Sequence, residues 1–167
     1  MQPDHTKILD QLRVAFPAKP IHAERAFSDW GATYLDAEPY MKQIEGKTWE
    51  NLNRAYLITR ADALGFLSTR QLVAVLPVYL RSIVEEGVWS QAADALLLLL
   101  TKPGPEKKTG IKLPRFEALL GALTPPQCVA IAAVLRAFAA TDEEGSPGKA
   151  ARAAIEAHWK TYLPAGS

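Results

Sequence analysis

The sequence predicts an all-α fold, a single compact domain of six to eight helices spanning residues 1–167. Three observations carry this. Apolar residues recur at helical spacing along nearly the whole chain. Hydroxyl-bearing residues that cap helices stand just ahead of the apolar runs. No stretch alternates apolar and polar residues long enough for a strand; residues 21–22 and 73–78 come nearest, and the second fits a helix better. With 167 residues, 49% of them apolar, a substantial core can be buried.

Ile8, Leu9, Leu12 and Phe16 share one stripe of a first helix over about residues 4–16, which Pro17 ends. A long irregular segment follows near residues 17–47, punctuated by Pro17, Pro20, Gly31, Pro39 and Gly46. It carries Phe27, Trp30, Tyr34, Tyr40 and Met41, which pin it to the helices, and a short helix near 38–44. Thr48 reads as the cap of a helix with Trp49, Leu52, Tyr56 and Leu57 inward, and short helical turns continue through 61–66. Ser68 opens the next helix, with Leu72, Val73, Leu76, Leu80, Ile83 and Val84 buried and Gly87 as its stop. Pro77 kinks this central helix, removing one backbone donor at a cost of about 3 kcal/mol.

Ser90 caps a helix that turns Ala93, Leu96, Leu97 and Leu100 inward. Residues 101–112 form a loop, since Pro103-Gly104-Pro105 forbids helix and Glu106-Lys107-Lys108 favours water. Pro114 begins a short helix over Phe116, Leu119 and Leu120. Thr124-Pro125-Pro126-Gln127 is a strong start signal, with Val129, Ala132, Ala133, Leu135 and Phe138 as the buried stripe beyond it. Ser146-Pro147 repeats the device ahead of Ala150, Ala154, Ile155, His158, Trp159 and Tyr162.

Composition narrows the function classes. A formal net charge of +1 gives no support to nucleic-acid binding. The leucine run at residues 96–100 is too short for a bilayer, and the polar start of the chain is no secretory signal, so the expectation is a cytoplasmic protein without membrane contact. Cys128, the sole cysteine, forms no intramolecular disulfide and falls on an apolar stripe. Gly46-Lys47-Thr48 ends like a phosphate loop, but Met41 stands where the earlier glycine belongs and no strand precedes it. His5, His22 and His158 lack metal-ligand spacing, and no serine sits in a nucleophile elbow. The reading is therefore no catalytic residues, no metal and no cofactor.

Between residues 24 and 50, Glu24, Asp29, Asp36, Glu38, Glu45 and Glu50 outnumber Arg25, Lys42 and Lys47, and they interleave with Trp30, Tyr34, Tyr40 and Trp49. Such a segment is either a protein-binding surface or a loop with aromatics inside and acids outside. As a surface, it would contact a partner through Asp29, Trp30, Asp36, Glu38, Tyr40 and Glu45.

Gly46-Lys47-x-Trp49, then Ala63-Leu64-x-Phe66-Leu67-Ser68, then Leu76-Pro77-x-Tyr79-Leu80 resembles a family of small bacterial helical proteins of unknown function, with a GK-x-W … L-x-F-L-S … Y-L-P-x-F-L pattern. Leu123-Thr124-Pro125-x-Gln127-x-x-Ala130-Ile131 resembles its L-T-P-x-Q helix start, and Ala157-x-Trp159 its closing helix. Thr69-Arg70 replaces a proline and an acid, and residues 104–112 look like an insertion. The resemblance implies no activity and no catalytic residues. By analogy with immunity proteins it leads to an expected partner, a cognate secreted protein toxin (a nuclease suits the acids), neutralised by occlusion. The alternatives are an enzyme using His22, His158 and the acids, or a scaffold that forms a homodimer through Ala150, Ala153, Ala154 and Ala157.

Overall fold

A computed structural model describes residues 4–22, 37–86, 91–104, 112–141 and 146–164, and these form eight α-helices and no strand. They are α1 (His5–Ala15), α2 (Ala37–Ile44), α3 (Arg54–Thr59), α4 (Thr69–Glu86), α5 (Gln91–Leu100), α6 (Lys112–Ala122), α7 (Pro125–Thr141) and α8 (Ser146–Ala157). Short 3-10 turns lie at Trp49–Asn51, Ala61–Gly65 and Trp159–Tyr162.

The centre is α4. Leu72, Val75, Leu76, Val78, Tyr79, Leu80, Ile83 and Val84 are all buried, which leaves most of its circumference inside the protein. A helix apolar nearly all round belongs in the middle of a fold, and α1, α3, α5, α6 and α7 all pack on it. Its start is a reciprocal capping box: the Ser68 hydroxyl accepts from the Gln71 N–H at 3.3 Å, and the Gln71 amide oxygen accepts from the Ser68 N–H at 3.1 Å. Pro77 does not end the helix, which runs unbroken to Glu86. Ser82, one turn beyond Val78, donates to the Val78 carbonyl at 2.9 Å and so satisfies its hydroxyl inside the core.

Around α4 the ends of other elements are closed by side chains from far along the chain. The Trp49 indole N–H donates to the carbonyl of Phe16, the residue that terminates α1, at 2.6 Å. The Trp159 indole donates to the carbonyl of Leu100, the last residue of α5, at 2.6 Å. Arg115, buried on α6, donates to the carbonyls of Leu64 and Gly65 at the end of a 3-10 turn. Helix ends carry carbonyls with no partner inside the helix, and in each case an aromatic or guanidinium group supplies one.

Gly46, at φ +69°, closes α2 in the left-handed region, where its N–H reaches the Ile21 carbonyl at 2.8 Å. The Ile21 N–H bonds the Lys47 carbonyl at 2.9 Å, so residues 17–22 are tied to the end of α2 without forming a strand. Between α6 and α7 the chain bends by 119° at Leu123-Thr124, and the Gln127 side chain accepts from the Thr124 N–H at 2.9 Å. Among the described residues no single helix is long and apolar enough to cross a membrane.

Three expectations need correction. Residues 48–57 do not form one helix: Thr48 makes no side-chain cap bond, Leu52 is extended, and Asn53 caps α3 by accepting from the Tyr56 N–H at 3.1 Å. Of the expected α7 stripe, Ala132, Leu135 and Phe138 are buried, joined by Ala130, Ile131 and Val134, whereas Val129 faces out. The last helix stops at Ala157, and Trp159 and Tyr162 lie in a separate 3-10 turn. The alanine face of α8 largely serves this chain, since Ala151 and Ala154 are buried and α8 packs mainly on α7, leaving Ala153 and Ala157 exposed. The proposed stops and caps at Gly87 and Ser90 lie outside the described residues.

Trp159→Ala is expected to cost about 3–5 kcal/mol by emptying a fully buried site. Trp159→Phe keeps most of the volume but strands the Leu100 carbonyl, for a smaller loss of about 1–3 kcal/mol. Urea denaturation of the two variants beside the parent measures both.

Candidate functional site

The acidic segment divides. Asp29, Trp30 and Asp36 lie outside the described residues. Glu38 and Glu45 are exposed at the two ends of α2. Glu38 pairs with Lys42 one turn on, at 2.8 Å; hydrogen bonding and then charge from Lys42 hold its carboxyl below the ordinary value. Tyr40 is a correction: it is 0% exposed, and its hydroxyl lies 3.2 Å from that of Tyr79, which donates to the Leu57 carbonyl at 3.0 Å. Its ring bolts α2 to α4 and cannot meet a partner. Trp49 is likewise core.

His158, Cys128 and Tyr162 gather where the α7 start meets the C-terminal turn. The His158 ring stands edge-on to Phe116 and Trp159, at centroid separations of 5.4 Å and 5.3 Å, with Tyr162 at 5.7 Å. Among the described residues its Nε2 atom, fully shielded, has no hydrogen-bond partner. Burial, then the positive charge of Lys102, lowers its pKa from 6.5, so the neutral imidazole is favoured. The buried Cys128 thiol is pushed up by burial, against which a hydrogen bond with Tyr162 works in the opposite direction. A protonated thiol is a poor nucleophile, so this cluster reads as packing. Among the described residues no three His, Cys, Asp or Glu side chains are placed to hold a metal ion.

Surface concavities formed by the described residues include the following two. A cleft of about 260 Å³ opens between residues 16–22, Trp49 and the first two turns of α4, and it includes Lys19, His22, Arg70, Gln71 and Pro77. His158 is not among its lining residues, so the two histidines do not converge. The second is a more open groove of about 800 Å³ between α1 and the start of α7. Its floor and walls include Val14, Ala15, Pro125, Pro126, Val129 and Ala130. Val14 is 82% exposed and Val129 43%, and they are two of the three large apolar side chains on the described surface. Asp4, Lys7 and Asp10, spaced by three along α1, give its rim charges of alternating sign.

Sequence reading missed this groove. Val14 was the available signal, an apolar β-branched residue off the Ile8–Leu12 stripe, and Val129 was misplaced inside.

A small all-α protein with one hydrophobic core is the class these features define. The chain belongs to the family of unknown function DUF6714, whose profile matches residues 24–163. Comparison with curated proteins gives no match, and comparison with solved structures gives none. The match begins after α1, so one wall of the groove lies outside the family-matched residues and the other, on α7, inside them.

Because His158 gains a proton less readily folded than unfolded, its contribution to stability is full above pH 6.5 and is lost as pH drops through that value towards the lower folded pKa. In His158→Gln this fall between pH 7 and about 5.5 is expected to flatten, read from thermal unfolding across that range. Cys128 is expected to resist a thiol-reactive disulfide reagent in the native protein and to react at once in denaturant, followed by absorbance.

Proposed function

We propose that this chain is a binding protein of the immunity type, which neutralises a cognate protein toxin by covering part of its surface. The observation that carries the reading is the α1–α7 groove, where Val14 and Val129 stand open to solvent beside Pro125 and Pro126. Contiguous exposed apolar surface rimmed by polar groups marks interaction sites. A trough between two helices fits an amphipathic helix laid along it. The matching partner helix presents aliphatic side chains to Val14 and Val129. Its flanking charges alternate basic, acidic, basic against Asp4, Lys7 and Asp10.

Glu38 and Glu45 act at a distance in this scheme. They are exposed, and they steer a basic partner such as a nuclease more than they hold it, since rim charges act chiefly on association rate. The apolar groove supplies the tight contact. A family of unknown function and a fold with its hollows at the surface are compatible with this role.

The test is co-expression with the protein encoded beside it. The parent chain is expected to restore growth and to co-purify with that product. Val14→Asp with Val129→Asp is expected to abolish both while unfolding temperature holds. Glu38→Lys with Glu45→Lys is expected to slow association about two- to fivefold, with dissociation unchanged. No complex with the parent, or full rescue by the double valine variant, would sink the proposal.

A further inference from the structure

We infer that the α1–α7 groove is also where two copies of this chain meet, their α1 helices antiparallel across a two-fold axis. This rests on reading the groove as a docking surface, as the proposed function does, and adds what occupies it when no toxin is present. The first observation is the order of charges along α1. Asp4, Lys7, Asp10 and Arg13 follow one another at intervals of three: negative, positive, negative, positive. The first three line the groove, and Arg13 continues the row. Read backwards, the same row is positive, negative, positive, negative. An antiparallel second α1 meets every charge with its opposite, whereas a parallel one meets every charge with its like.

The second observation is that one register satisfies the whole row. A two-fold axis level with the midpoint between Ile8 and Leu9 sets Lys7 against the partner's Asp10, and does so twice. The same axis puts Thr6 opposite the partner's Gln11, and both of these polar residues line the groove. A symmetric dimer needs a patch that complements itself. The helix suited to Asp4, Lys7 and Asp10 carries basic, acidic and basic groups in that order, and α1 run backwards offers Arg13, Asp10 and Lys7.

The third observation is how little this row is used within the chain. The Asp4 carboxylate caps α1 by accepting from the Lys7 backbone N–H at 3.2 Å, and Asp10 pairs with Arg13 at 3.1 Å. Among the described residues no ion pair joins the Lys7 ammonium to either aspartate. The Asp10 and Arg13 side chains are 63% and 53% exposed, so their pair is worth little in water and yields to a partner's charge. Val14, Val129, Pro125 and Pro126 supply the apolar contact, and the charges supply the register. One helix of 11 residues laid in a trough makes a small interface. The dimer is accordingly weak and reversible, and it gives way to a tighter partner.

Sedimentation velocity of the full chain alone, from about 1 to 500 µM, is the test. A shift from monomer towards dimer is expected across that range, weakened as sodium chloride rises from about 50 to 500 mM. Lys7→Glu alone and Asp10→Lys alone are each expected to weaken self-association about tenfold or more, because each sets like charges face to face twice. Mixed in equal amounts, the two variants are expected to associate again, since each then presents the sign the other lacks. Val14→Asp, which leaves the row intact, is expected to weaken the dimer as well. All three positions are exposed, and unchanged unfolding temperatures confirm the fold of each variant. A strict monomer throughout, a dimer indifferent to the charge variants, or a mixture no more associated than its components would each overturn the inference. Growth rescue reports on the toxin and sedimentation on the chain alone, so the two proposals fail separately.

Discussion

Most of the fold follows from one constraint: α4 has almost no outside. A helix with Leu72, Val75, Leu76, Val78, Tyr79, Leu80, Ile83 and Val84 all buried has to be enclosed by the rest of the chain. The other helices are accordingly arranged about it, none of them longer than α4, and their own apolar faces turn inward. Several polar groups caught in this interior find partners there. Ser82 bonds back to Val78, the Tyr40 and Tyr79 hydroxyls meet each other, and Tyr79 donates to Leu57. That is the requirement for burying polar atoms without a penalty of about 1–3 kcal/mol each.

Enclosure of α4 also shapes the surface. The loop after α1 has to cross the start of α4, and a cleft is left where prolines and aromatic rings keep that crossing from closing down. Between α1 and the start of α7 a groove stays open, lined by Val14 and Ala15 on one side and by Pro125, Pro126 and Val129 on the other. The α7 start borders both hollows, with Gln127 on the cleft and its neighbours on the groove.

Much of the fold was legible in the residues. Helical spacing identified the helices, and Ser68, and Thr124 with Gln127, marked two starts that the hydrogen bonds reproduce. What periodicity could not resolve was which apolar residue near a helix end faces in. Val129 sits near the start of α7, on the side that lines the groove facing α1. Tyr40, standing among acids, suited either a surface aromatic or a side chain pinning its segment to the helices, and its hydroxyl's buried partner 39 positions along the chain decides for the second. Thr48 and Asn53 are both residue types that cap helices, and the extended Leu52 between them puts the start of α3 at Asn53. The groove was invisible for a related reason: it depends on two helices separated by over a hundred residues.

The remote partners of helix ends have a further consequence. When a helix is capped by its own neighbours, its last turn can fray alone. Here the ends of α1 and α5 are held by indoles from Trp49 and Trp159, which are themselves locked in the core. Releasing either terminal carbonyl means extracting a tryptophan. Local opening and global unfolding are thereby fused into one event at these two points, and the small domain gains cooperativity that its short helices would not have in isolation.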